Sequence, residues 1–192
     1  MSKTTEVEIA VIGAGPGGYA AAFRAADLGK KVILIDRDPT LGGVCLNRGC
    51  IPSKALLHIA KVMDETNNLS KMGVSYNKPD IDLEKIRLHK NKIVSQLNQG
   101  IDKMAKARGV ETIQGLASFK NNSELEVRTK SSNINIKYEK CIIATGSTSG
   151  MIPGISIKHD SILTSRTALE LVDIPNKLLV IGGGAIGLEL GQ

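Results

Sequence analysis

Two cysteines, Cys45 and Cys50, are separated by four residues in the segment Gly42-Gly-Val-Cys-Leu-Asn-Arg-Gly-Cys-Ile-Pro-Ser-Lys54. Three cysteines in 192 residues are too few for a disulfide scaffold, so a close pair points to redox or metal chemistry. On one regular helix the two Cα atoms would lie roughly 8–9 Å apart. That exceeds the ~7 Å limit for a disulfide. A bridge therefore requires an irregular turn, which Gly49 can supply, and Pro52 suits the first turn of a helix that follows. Thiols at that helix start, near Arg48 and Lys54, would ionise more readily than usual. A zinc site needs about four N or S ligands. The remaining candidates, Cys141, His58, His89 and His159, have no matching spacing, so no metal is expected. Cys141, in the apolar run Cys141-Ile-Ile-Ala144, reads as a buried structural thiol.

A second chemistry resides in glycines. Gly13-x-Gly15-x-x-Gly18 follows an apolar run and opens an Ala-rich stretch, and Asp36 ends the next apolar run. The first glycine permits a tight turn, the second lets a pyrophosphate approach the backbone, and the third lets helix pack on strand. The helix start offers free N–H groups and the positive end of a dipole. Asp36 is placed to accept hydrogen bonds from a ribose. The pattern leaves NAD and FAD both open. A second cluster, Gly182-Gly183-Gly184-Ala185-Ile186-Gly187, repeats the motif near the end of the chain.

These residues need elements to hold them. The pattern predicts a strand over 7–12, a helix to about Leu28 ended at Gly29, and a strand over 31–36 whose unbroken apolar run suits a parallel sheet buried on both faces. Helices are predicted over 52–67 and 81–108, the latter with Ile86, Ile93, Leu97, Ile101 and Met104 as its core face. Short strands follow at 110–114, 124–129, 134–138 and 140–145, with turns at Asn121-Asn122 and Ser131-Ser132-Asn133. Pro153-Gly154 marks a break, a short helix covers 167–172, and a last strand over 178–181 enters the second glycine cluster. The fold class is α/β: a Rossmann-like first domain over 1–149, with a parallel sheet and small antiparallel strands, then the start of a second Rossmann-like domain over 150–192.

Composition narrows the function classes. Hydrophobic residues make up 42% and charged residues 23%, which excludes disorder and a membrane span. Aromatics are 3% with no Trp, which argues against stacking platforms for single-stranded nucleic acid. The net charge of +6 is concentrated over 84–108, read as a solvated helix face. The first eight residues carry two acids and no apolar core, so neither a secretory signal nor a transit peptide is expected and the chain reads as cytoplasmic.

A dinucleotide motif followed by Gly-Gly-x-Cys-(x)4-Cys-x-Pro-x-Lys resembles the flavin-dependent pyridine nucleotide-disulfide oxidoreductases. The form Cys45-Leu-Asn-Arg-Gly-Cys50-Ile-Pro-Ser-Lys-Ala-Leu-Leu57 is similar to the dihydrolipoamide dehydrogenase branch, of which the chain reads as an amino-terminal portion. The resemblance implies FAD on Gly13, Gly15, Gly18 and Asp36, with Arg37, Thr40, Gly42, Gly43, Val44, Cys45 and Lys54 along the cofactor. Gly115, Ala117, Thr145 and Gly146 complete that site. It implies NAD on Gly182, Gly183, Gly184, Ala185, Ile186 and Gly187. Cys45 would be the interchange thiol, Cys50 would lie against the flavin, and Lys54 would pair with Glu189 beside it. The implied substrate is dihydrolipoamide on the lipoyl domains of 2-oxoacid dehydrogenase complexes or the glycine cleavage system, and the implied assembly is a homodimer. Arg48 departs from the pattern, since many relatives have Val there. The alternatives are another flavin disulfide reductase, of mercuric or glutathione type, or a non-catalytic FAD-binding or partner-binding module.

Overall fold

The computed structural model describes residues 4–150, 154 and 159–192; Pro153 of the expected break lies outside them. The chain divides into two compact units, Met1–Leu46 with Gln96–Ser147, and Asn47–Ser95 with Thr148–Gln192.

The first unit is a six-stranded mixed sheet in the order β3-β2-β1-β6-β5-β4. Its strands are β1 (Thr4–Ile12), β2 (Val32–Asp36), β3 (Glu111–Gln114), β4 (Leu116–Asn121), β5 (Glu124–Arg128) and β6 (Asn133–Ile143). β1 runs parallel to both β2 and β6, and β2 parallel to β3, whereas β4, β5 and β6 pair antiparallel. Helix α1 (Pro16–Asp27) crosses from β1 to β2, which makes the expected βαβ unit. It starts with Pro at its first position and ends before Gly29 at φ +80°, a conformation that suits glycine. Val32 to Ile35 are all buried, as an apolar run in a two-faced parallel strand requires. Val7, Ala10, Ile33, Ile35, Leu125, Val127, Ile136 and Tyr138 pack into one buried cluster. The core is aliphatic, as the scarcity of aromatics demands.

Two strand expectations are corrected here. The runs 134–138 and 140–145 form one strand, β6, because β1 pairs with it on both sides of Glu139, from Asn135 to Tyr138 and from Lys140 to Ile143. β4 was not expected at all. It is an exposed edge strand with small residues at Ala117 and Ser118, and its alternation is too weak to see without its partner β5.

The second unit is helical. Helix α2 (Gly43–Arg48) leads into it, followed by α3 (Cys50–Asn68), a 3-10 turn (Leu69–Met72) and α4 (Leu83–Ala107), which runs on into the first unit. Asp82 caps α4 by accepting from Lys85 N–H at 3.0 Å. Ile101 is buried, Ile86 and Ile93 are half-buried, but Leu97 and Met104 are exposed. The apolar stripe of α4 is therefore only partly used as core. Helix α5 (Ser165–Ala168) starts earlier than expected because Thr164 and Thr167 form a reciprocal cap, and it is over before Leu171 at φ +49°. The strand expected over 178–181 is not formed. A strand exists only through pairing, none of the described residues lies beside it in a ladder, and Leu179 is 85% exposed. Helix α6 (Ala185–Gly191) follows it. Among the described residues no helix is long and apolar enough to cross a membrane.

Candidate functional site

At the end of β1 the chain turns at Gly13, with φ +101°, and enters α1 through Gly15. A Cβ on Gly13 would stand 2.2 Å from the Ala144 carbonyl oxygen, and one on Gly18 would stand 1.7 Å from the Gly13 carbonyl oxygen. Neither position tolerates a side chain, for reasons internal to the protein. Gly15 differs. Its φ is −72°, and a Cβ there would meet nothing nearer than the Gly43 Cα at 3.8 Å. The protein's own packing leaves room for a side chain at Gly15, so the absence of one matches a group that approaches from outside, as the expected pyrophosphate does. No side chain caps the start of α1, and Pro16 has no N–H, so the helix start keeps its capacity for an anion.

Asp36 does more than the sequence suggested. Its Oδ2 accepts from Ala14 N–H at 2.5 Å and its Oδ1 accepts from Asp38 N–H at 2.9 Å. Gly42 N–H in turn donates to the Ala14 carbonyl at 2.8 Å. The Ala14 peptide is thus gripped at both ends, which fixes the glycine turn between β2 and the 42–43 loop. An ionised carboxylate has about four acceptor positions, so two backbone bonds leave Asp36 able to accept from ribose hydroxyls. Gly43, at φ +59°, lies against Gly15: its Cβ would stand 2.5 Å from the Gly15 Cα. Gly115 N–H donates to the Asp36 carbonyl at 2.8 Å, and its lack of a side chain is explained by β5, since a Cβ would stand 2.6 Å from Val127. Ala144 N–H donates to the Ile12 carbonyl at 2.8 Å, which brings the start of the 144–146 segment beside the turn. Arg37, Thr40, Val44, Thr145 and Gly146 are exposed, and Ala117 is half-buried on β4.

The cysteines flank a helix break. Cys45 lies half-buried in α2, and Cys50 is the exposed first residue of α3. Between them Gly49 leaves helical conformation at φ −146°, ψ −111°, the kind of irregularity that a bridge across this spacing requires. All three cysteines are thiols here. The Cys50 thiol is open to solvent. Cys141 is half-buried on β6, where burial pushes its thiol pKa up.

Within the second unit, Lys54 Nζ donates to Glu189 Oε1. The adjacent Ser53, 6% exposed, donates to Glu189 Oε2 at 3.0 Å. Those two bonds, Lys54 first, hold the Glu189 carboxyl below its ordinary range. The pair is not buried, because the side chains of Lys54 and Glu189 are 59% and 32% exposed. Water screens such a pair, so it contributes little stability. Lys54 follows Cys50 by one helical turn, which places both on one side of α3. The second glycine cluster repeats the first turn. Gly182 has φ +112°, Gly184 has φ −78° with open space where a Cβ would be, and a Cβ on Gly187 would stand 2.2 Å from the Gly182 carbonyl oxygen. Gly183, Ala185 and Ile186 are exposed.

The basic stretch of α4 is not only a solvated face. Lys90, 7% exposed, donates to the Leu169 carbonyl at 2.6 Å, and Arg87 donates to the carbonyls of Leu171 and Val172 at 3.1 and 3.2 Å. Burial lowers the pKa of Lys90. Arg108 pairs with Asp27 at 3.0 Å and lies over the Phe23 ring. Ser53, Lys90 and Arg87 had no signal in sequence, since their partners are far along the chain.

Parallel strands running into an uncapped glycine turn, with an acid at the end of the next strand, are the architecture of the dinucleotide-binding folds. The protein can be placed more closely than that. The chain belongs to the pyridine nucleotide-disulphide oxidoreductase family, whose profile matches residues 7–192. It is 46% identical over 192 residues to the dihydrolipoyl dehydrogenase of Haemophilus influenzae, covering 100% of this chain and 40% of that protein. It is 50% identical over 192 residues to that of Buchnera aphidicola from Acyrthosiphon pisum, covering 99% and 40%. Among solved structures it resembles the Cu(II) complex of the HOCl-induced flavoprotein disulfide reductase RclA from Escherichia coli, with TM-score 0.78 and 31% identity over 98% of this chain and 39% of that one. The chain spans about 40% of the length of the curated relatives it matches.

Proposed function

We propose that this chain is the FAD- and thiol-bearing portion of a dihydrolipoyl dehydrogenase of the cytoplasm, working as a homodimer on lipoyl domains. Residues 1–149 form the FAD-binding part, and residues 150–192 begin the NAD-binding part. The observation that carries this reading is the cysteine pair broken at Gly49, with Cys45 in α2 and Cys50 opening α3. The clearance at Gly15 supports a pyrophosphate on the first glycine turn, and the same clearance at Gly184 supports a second on the other.

In the oxidised protein Cys45 and Cys50 form a disulfide. One thiolate of dihydrolipoamide attacks the Cys45 sulfur, the Cys45–Cys50 bond breaks, and Cys50 leaves as a thiolate. The second substrate thiol then attacks the mixed disulfide, which releases lipoamide and returns the protein as a dithiol. FAD, when bound, supplies the two-electron relay between this dithiol and NAD+, which becomes NADH. Gly13, Gly15, Gly18 and Asp36 hold the adenosine diphosphate end, with Arg37, Thr40, Gly42, Gly43, Val44, Gly115, Ala117, Thr145 and Gly146 around it. Gly182 to Gly187 hold the nicotinamide nucleotide. Lys54, paired with Glu189, stands one helical turn from Cys50 on the same side of α3.

The test is turnover of the chain extended to its relatives' length and loaded with FAD. NADH formation from dihydrolipoamide and NAD+, far above any reduction of glutathione disulfide or Hg(II), is the expected result. Preference for either of the latter would move the protein to another branch, and a flavin unchanged by every dithiol would make it a binding module.

A further inference from the structure

Serines early in a helix commonly bond back to a carbonyl one turn earlier. Ser53 keeps the helical bond of its N–H to Gly49, at 3.0 Å, but its hydroxyl crosses to Glu189 on α6. Lys54 takes the other oxygen of the same carboxylate. Consecutive helical residues diverge by about 100°, so a carboxylate gripped by both has its plane fixed. An ionised carboxylate only accepts, so the Ser53 O–H is committed as donor. Lys54 alone cannot impose this order, because its long side chain is mostly exposed and its ammonium rotates freely. Ile186 and Leu188 on α6 are both largely exposed, so little apolar packing assists.

We propose that Ser53 is the positioning residue of the Lys54–Glu189 pair, acting through Glu189 to hold the ammonium at one place a turn away from Cys50. This rests on the reading of that pair as part of a dithiol–flavin centre. A buried serine that merely satisfied its own hydroxyl would be indifferent to Glu189, and the two roles separate in a double-mutant cycle.

Two measurements test it. In the 192-residue chain, carbon NMR of the Glu189 carboxylate follows its titration. Ser53→Ala raises the midpoint toward the ordinary carboxylate range, and Ser53→Thr, which keeps the hydroxyl, restores it. In the extended, FAD-loaded chain, Ser53→Ala lowers kcat about three- to tenfold with KM for dihydrolipoamide unchanged, as loss of one hydrogen bond to a charged group predicts. In a Glu189→Gln background the same substitution changes kcat less than about twofold. Equal factors in both backgrounds, or an unmoved Glu189 titration, would overturn the proposal. If Ser53→Ala does not fold, Ser53→Cys, similar in size with a weaker donor, takes its place. Absence of dihydrolipoamide turnover in the parent would defeat the functional reading instead, and the titration would still decide the role of Ser53.

Discussion

Gly15 and Gly18 belong to one motif, yet the structure assigns their lack of a side chain to different causes, and alanine at each should separate them. At Gly15 the new methyl meets only ordinary contact, at 3.8 Å from the Gly43 Cα. The cost is that of alanine at a helix N-cap, about 0.5–1 kcal/mol. At Gly18 the methyl would lie 1.7 Å from the Gly13 carbonyl oxygen, a backbone atom that no rotamer can move aside. Overpacking of that kind costs about 1–3 kcal/mol or more, set against about 1 kcal/mol gained from helix propensity. In a chain of this size 1 kcal/mol corresponds to about 2–4 °C in Tm. Gly15→Ala should therefore melt within about 4 °C of the parent without flavin, and Gly18→Ala should fall further. Flavin affinity should show the reverse contrast. Fluorescence titration with FAD, in the extended chain, should give at least a tenfold weaker Kd for Gly15→Ala, equivalent to about 1.4 kcal/mol. If Gly15→Ala keeps its flavin affinity within about twofold, or loses as much stability as Gly18→Ala, the assignment of Gly15 to the ligand fails.

Acid should weaken both units. The carboxyls of Glu8 and Glu189 are lowered by hydrogen bonds from Lys30 and Lys54, so their contribution is present above the ordinary glutamate range and lost as pH falls through the lowered values. The urea midpoint should drop between about pH 5 and pH 3, and a Glu8→Gln, Glu189→Gln double variant should show a shallower drop; an identical slope would refute the linkage. Lys90→Met keeps the buried stem but leaves the Leu169 carbonyl without its donor, so urea unfolding should show a loss of about 1–3 kcal/mol. Lys92→Met, on an exposed position of the same helix, should stay within about 0.5 kcal/mol.

What was legible in the sequence was local. The β1-α1-β2 unit announced itself because periodicity, Pro16, Gly29 and Asp36 all lie within one stretch of chain, and Gly49 stood out as the residue able to supply the irregular turn that a Cys45–Cys50 bridge requires. What escaped depends on partners distant along the chain. β4 is a strand only because β5 pairs with it, and the 178–181 run is not one because nothing among the described residues does. Leu97 and Met104 carry the right spacing for a core, but spacing cannot say whether a neighbour arrives to cover them. Lys90 and Ser53 look like ordinary solvated side chains until Leu169 and Glu189 are placed against them.

The sheet order also dictates when the central strand of this protein gains its second partner during synthesis. β1 is made long before β6 and sits at the centre, with Ala10 opposite Cys141 on β6. Pairing of that range forms late, since the loop must close before its contacts reward it. At about 5–20 residues per second, a ribosome leaves the β6 side of β1 without its partner for several seconds to tens of seconds. That is an apolar, unpaired central edge, the form of exposure that chaperones recognise and that neighbouring chains can join. The glycine turn, already held by Asp36 and Gly42, gains its last neighbour when Ala144 arrives beside Gly13. On the function proposed above, with Thr145 and Gly146 among the FAD contacts, cofactor capture follows the closure of β6 on β1.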